Sequence, residues 1–231
     1  NEFDATEEDL ASVAVKNHDN GLSNPKAHLR KKITIDDVMK SAVVASPLKL
    51  FDCCPFSDGA SSVVICNEQF AKEHSKNYVK VIGSGRGGSP AALQGREHLT
   101  TIPSTKIAAA DAYKMAGITA KDVDFAEVHD CFTVAEVVDT EDLGFFEKGK
   151  GAEAARNGDT KLNGSIPINP SGGLKSKGHP IGATGVGQVV EVFEQLTGKS
   201  GERTVNDAKI GLTQNFGATG ASCAVHIFQS V

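Results

Sequence analysis

The residues best suited to chemistry stand in three short stretches. In "EVHDCF" an apolar run ends in His129, Asp130 and Cys131. An imidazole, a carboxyl and a thiol in a row can move protons, attack a carbonyl or bind a metal. A cysteine thiol ionises near about 8.5, and a nearby imidazolium or helix N-terminus lowers that value toward neutrality. No second Cys or His stands at ligand spacing from Cys131, which argues against zinc. Packing as a small hydrophobe is the plain alternative.

"NPSGGLKSKGHPIGATGVG" (169–187) surrounds His179 with six glycines, where a backbone can approach a ligand closely. Pro180 holds the residue before it extended, which aims the imidazole. "QNFGATGAS" (214–222) places Asn215 and Gly217 at a strand end, with backbone N–H groups free to face an anion as an oxyanion hole requires. "GSGRGG" (83–88) fits G-x-G-x-x-G after a strand, but Ser89-Pro90 follow and no ribose-binding acid does. A tight loop is expected there, with Arg86 able to meet a phosphate. Cys53 and Cys54 read as core thiols and Cys223 as packed within a strand, while His18, His28, His74 and His98 fall in polar segments.

Elements must position these groups. Residues 6–17 predict a helix with capping-box spacing at Thr6-Glu7-Glu8-Asp9, and 33–49 a short helix and extended pieces. "ASSVVICN" (60–67) predicts a buried strand, followed by a helix near 68–75 and a strand at 78–83. Ser104 can cap a helix with Ala108, Ala112 and Met115 on one face and Gly117 at its end. A strand at 123–128, a helix from about 132, a loop-rich excursion over 149–165 and an extended piece at 166–169 follow. Val186, Val189, Val190, Phe193 and Leu196 give a helix an apolar stripe, and strands at 208–214 and 222–229 close the chain. The order implies an α/β fold with a mixed sheet.

Composition narrows the classes. With 231 residues, 39% of them hydrophobic, the chain can bury an ordinary core. Its net charge of −5 has interspersed signs, so no basic face suits nucleic acid or an anionic membrane. No apolar run reaches the roughly 20 residues of a membrane span, and no leader opens the chain. A cytoplasmic location is expected. Five cysteines without repeating spacing point to reduced thiols. Residue 1 is Asn, and the helix start follows at once, so the expectation is a chain that begins inside a longer protein.

"HDCF" (129–132), the G-H-P block (169–185) and "NFGATG" (215–220), with "SDGA" (57–60) upstream, are similar to the thiolases. The H-D-C-F form resembles the sterol-carrier-protein-type branch, archaeal acetyl-CoA acetyltransferases included. The resemblance implies a thiolase-like fold layered α-β-α-β-α. Residues 1–100 would be the remainder of the N-terminal half with part of its loop region, and 101–231 the C-terminal half. The segment bearing the cysteine that thiolases acylate has no match here.

The implied activity is acyl transfer: reversible Claisen condensation of two acetyl-CoA to acetoacetyl-CoA and CoA, or thiolysis of a 3-ketoacyl-CoA, in lipid or mevalonate metabolism. By resemblance, His179 activates the absent nucleophile and Cys131 exchanges a proton with the second acetyl-CoA. His129 takes the place where other thiolases hold an oxyanion-hole water with Asn. Gly217 offers its N–H to the acyl oxygen, and Asn215 stands where the other branch keeps its acid/base cysteine. Ser57, Gly83 and Arg86 are the expected substrate contacts. No metal and no cofactor beyond coenzyme A thioesters is implied. Expected partners are the missing N-terminal thiolase segment, further copies in a homo-oligomer, and hydroxymethylglutaryl-CoA synthase with an acyl-CoA-binding bridging protein. Competing readings are a thiolase-like aldolase acting on β-hydroxyacyl-CoA, and a non-catalytic acyl-CoA- or lipid-binding or scaffold subunit.

Overall fold

The computed structural model describes residues 2–231. Its centre is a four-stranded mixed sheet formed by β3 (Val79–Gly88), β4 (Phe125–Glu127), β5 (Ile210–Gly217) and β6 (Ser222–Ser230), in the order β3-β6-β5-β4. Only β4 and β5 run parallel. A small pair, β1 (Val43–Ala45) and β2 (Leu48–Lys49), stands apart.

Helices cover both faces. On one lie α4 (Pro103–Ala116) and α5 (Thr133–Asp142), whose Ala108, Ala112, Ala135 and Leu143 end meet Leu212, Cys223, Val225 and Ile227. On the other lies α8 (Thr184–Leu196), where Val192 packs with Phe125 and Phe228. The remaining helices are α1 (Glu7–Leu22), α2 (Ile35–Met39), α3 (Glu68–His74), α6 (Gly151–Asn157) and α7 (Gly173–Ser176). The mixed α/β expectation is met.

Several local expectations need correction. "GSGRGG" is no loop but the second half of a ten-residue strand. Gly83, Gly85 and Gly87 alternate onto the α4 face, and a Cβ at each would collide with the carbonyls of Ala112, Ala108 and Ser104. Glycine is there so that a helix backbone can lie directly on the sheet. Ser104 does not cap α4; it lies inside the helix and donates to Gly220 O at 2.7 Å, while Ile102 occupies the cap and Pro103 the first turn. Met115 is exposed, because the buried face runs through Thr105, Ala108, Ala109 and Ala112.

The excursion at 149–165 contains α6. Residues 60–66 join no strand, and Val64 and Ile65 are 91% and 85% exposed. Their β-branched run fits a strand, but among the described residues no neighbouring strand pairs with it. On α8 the buried positions include Gln188, Glu191 and Gln195, whereas Val186, Val190 and Phe193 are half-buried. Polar groups are buried there because the helix reaches Asn215 and Arg203 through hydrogen bonds. The capping box on α1 and the left-handed Gly117 after α4 form as the spacing requires.

Candidate active site

Strand β4 ends at Glu127, and the chain turns through Val128, His129, Asp130 and Cys131 into α5. This is the carboxyl end of the parallel pair, the edge where α/β sheets place ligands. Two neighbouring turns converge on it. The 169–180 turn is tied down by Glu127, which accepts from Ser171 N at 2.9 Å, from Ser171 Oγ at 2.6 Å and from Lys177 Nζ at 3.1 Å. Asn169 adopts a left-handed φ of 55°, which Asn tolerates. Its side chain accepts from Val128 N and donates to Glu136, both at 2.8 Å. The third element is the segment 53–56, which bridges Phe132 through Cys53 and His179 through Phe56.

His129 and His179 meet in this pocket with ring centroids 5.0 Å apart and ring planes at 84°. Their hydrogen bonds assign opposite tautomers. Asn215 Nδ2, which can only donate, lies 3.0 Å from His129 Nδ1, so that nitrogen is bare and the proton sits on Nε2. Thr184 Oγ1 donates to Pro180 O at 3.1 Å and accepts from His179 Nδ1 at 2.7 Å, which leaves His179 Nε2 bare. Burial holds His129 down at about 3, with His179 adding to it, so its ring stays neutral. Burial also lowers His179, helped by Lys177.

Cys131 is half-buried, and burial pushes its thiol up to about 12, with Cys54 adding to the shift. The resting thiol is therefore a proton donor. Cys54 N donates to Cys131 O at 3.0 Å, which sets the two cysteines opposite each other across the bridge. The expectation that Cys53 and Cys54 are simple core thiols is thus corrected: both are half-buried beside the Cys131 turn. Burial raises Cys54 to about 11.

The structure therefore brings His129, His179 and Asn215 together, and Cys131 follows two residues after His129 on the same turn, beside Cys54. Gly217 follows Phe216, whose ring lies 4.5 Å from that of His129, on the exposed rim of the same strand end. Ser57 lies 2.9 Å from His28 Nδ1 and lines a cleft of about 610 Å³ with Phe56, Lys177, Pro180 and Thr184. Gly83 is buried beneath α4, and Arg86 is exposed two strands from Asn215 in register; neither is brought to the imidazoles. His18 is buried, with its Nδ1 2.9 Å from Lys31 O, contrary to the solvated reading. All five cysteines are free. Among the described residues no cluster of three or more His, Cys, Asp or Glu is arranged to hold a metal, and no helix is long and apolar enough to cross a membrane.

Sequence reasoning missed the groups that hold the pocket from behind. Gln214 Oε1 accepts from His129 N at 2.9 Å while its Nε2 donates to Asp139 at 2.8 Å. Asp139 is fully buried, and that burial raises its carboxyl well above the usual range. Gln188 accepts from Asn215 at 3.1 Å and donates to Gln214 O at 3.0 Å. The signal was the polar residues on faces that the α/β pattern buries.

The profile of the thiolase C-terminal-domain-like family matches residues 85–230. An acetyl-CoA acetyltransferase of Methanothermobacter thermautotrophicus is 48% identical over 98% of this chain and 59% of its own length. Sterol carrier protein 2 of Bos taurus is 35% identical over 95% of this chain and 41% of its own. The chain thus spans only part of the length of these relatives. Among solved structures, the Ltp2-ChsH2(DUF35) aldolase superposes with a TM-score of 0.89 at 25% identity, over 99% of this chain and 60% of that one. A monomeric SCP2-thiolase-like protein from Mycobacterium smegmatis shares the fold with a TM-score of 0.70 at 15% identity. Sheet, turns and sequence agree on one ancestry: the chain belongs to the thiolase family.

Proposed function

We propose that this chain supplies the acid/base and oxyanion side of an acyltransferase site that joins two acetyl-CoA units into acetoacetyl-CoA and CoA, or runs the reverse thiolysis. The acylated cysteine lies on a polypeptide segment outside these residues. What carries the reading is the His129–His179 pair: one imidazole presents an N–H and the other a bare nitrogen, 5.0 Å apart between centroids.

The chemistry needs that asymmetry. An acetyl thioester is a weak carbon acid, so its enolate forms only where donors already face the developing oxygen charge. His129 Nε2–H serves there, fixed by Asn215, and stays neutral across the working range. Gly217 offers a backbone N–H to the acyl oxygen. His179 Nε2 takes the proton of the attacking thiol as general base. In synthesis the Cys131 thiol gives its proton to the CoA thiolate that leaves in acylation, and the thiolate so formed removes one from the methyl of the second acetyl-CoA; in thiolysis the thiol returns a proton to the carbanion. Ser57 and Arg86 are proposed to contact the CoA moiety. A homo-oligomer and the two partner proteins named above remain part of the proposal, as does a cytoplasmic setting.

A second reading, aldol cleavage of a β-hydroxyacyl-CoA, is favoured by the close superposition on the aldolase. The presence of both Cys131 and His179 favours acyl transfer over it. Incubating the complete protein with acetoacetyl-CoA and CoA separates the two: acyl transfer gives acetyl-CoA. Turnover of a β-hydroxyacyl-CoA to aldehyde or ketone, with acetoacetyl-CoA untouched, would overturn the first reading.

A further inference from the structure

Asp130 does more than lie between the two candidate groups His129 and Cys131. Its Oδ1 accepts from Leu174 N at 2.7 Å, and its Oδ2 accepts from Lys175 N at 3.3 Å and from Asn17 Nδ2 at 2.8 Å. The carboxylate thereby joins the Cys131 turn to α7, four residues before His179. Gly173 lies so close that a Cβ there would collide with the carboxylate. Behind this link, the Lys175 side chain is 1% exposed, and among the described residues its Nζ has no hydrogen-bond partner. A buried ammonium without a partner is costly, and it acts on its surroundings through charge alone.

We propose that Lys175 is a positioning residue: its buried ammonium keeps Asp130 ionised, and ionised Asp130 holds the Cys131 turn and the His179 turn at their working separation. A protonated Asp130 would turn one acceptor oxygen into a donor facing an N–H, so one of the amide links would be lost.

The groups facing this pair come from every packed element. Asp130 faces Lys16 of α1 and Glu136 and Asp139 of α5. Lys175 faces His18 of α1 and Asp52, Cys53 and Cys54 of the bridging segment. Burial raises Asp130 to about 7, with Glu136 adding to it and Lys175 opposing it. Burial lowers Lys175 to about 8, with Asp130 opposing. Both members change charge close to neutrality, so removing one is felt by the other.

The proposal rests on the acyl-transfer reading only for what the separation is for, and it can be tested without turnover. In ¹⁵N-labelled chain, the Leu174 amide shift should titrate with a midpoint close to that of Asp130, about 7. In Lys175→Met the midpoint should rise by about one pH unit or more, and in Asp130→Asn the titration should vanish. The cross-relaxation between the His129 and His179 rings should weaken on the acid side of the same midpoint, and that loss should move with it in Lys175→Met. An unchanged midpoint in folded Lys175→Met overturns the proposal. If that variant fails to fold, Asp130→Asn still decides, because unaltered cross-relaxation between the His129 and His179 rings in that variant overturns the proposal equally. A complete enzyme that fails to exchange acetyl-CoA protons while these titrations hold would remove the acyl-transfer reading and leave the Lys175–Asp130 link standing.

Discussion

Asn215 Nδ2 donates to His129 Nδ1 across 3.0 Å, and Gln188 Oε1 accepts the other proton of the same amide at 3.1 Å. The amide cannot rotate without losing both bonds. A strand and a helix on one face of the sheet therefore dictate which nitrogen of His129 carries hydrogen. Replacing Asn215 by Leu should free that choice and remove a preorganised donor, slowing condensation in the complete protein about 10²-fold. Steady-state rates for the variant check this, and a rate within about twofold of the parent would sink the assignment.

The thiol of Cys131 sits near 12, so it rests protonated. Cys131→Ala should slow deuterium exchange at the acetyl-CoA methyl by about 10²–10⁴-fold and leave acylation of the complete protein detectable by mass. Exchange at the parent rate would show that another group carries the proton.

Acid should weaken the fold through His129. An unfolded histidine takes its proton near 6.5, whereas folded His129 refuses it until about 3. Its contribution is full above 6.5 and is lost as pH falls through that window, by up to about 1.4 kcal/mol per unit. Asp130 acts with the opposite sign between 3.8 and about 7, because the folded form keeps a proton that the unfolded form has lost. The comparison is therefore with His129→Asn: the stability advantage of the parent over this variant should shrink between pH 7 and 4 in urea melts. A constant difference contradicts the assignment.

Gly85→Ala should cost about 1–3 kcal/mol, because the new methyl meets the Ala108 carbonyl and α4 must lift from the sheet. Thermal denaturation reads this directly, and an unchanged midpoint would mean the helix does not lie where it is described.

The candidate site was legible because its residues are adjacent in the chain: His129, Asp130 and Cys131 follow one strand, and Pro180 with its glycines singles out His179. Helices with local signals, such as the Thr6 capping box and the Gly117 stop, were equally readable. What failed depended on contacts distant in sequence. Gly83, Gly85 and Gly87 look like a turn until a helix twenty residues later is laid on them. Gln188 and Gln214 look like surface residues until Asn215 and His129 are placed between them. Cys54 gains its meaning only from facing Cys131 across a bridge. A buried polar network is specified by its partners, and a single segment does not contain them.

The open ribbon of Val63, Val64 and Ile65 has a practical side. Aliphatic side chains and an unzipped peptide edge in one place form a template for any extended chain that drifts past, including another molecule of the same kind. Concentrated stocks of the isolated polypeptide should therefore clump through this ribbon. Lysine at position 64 should keep them clear.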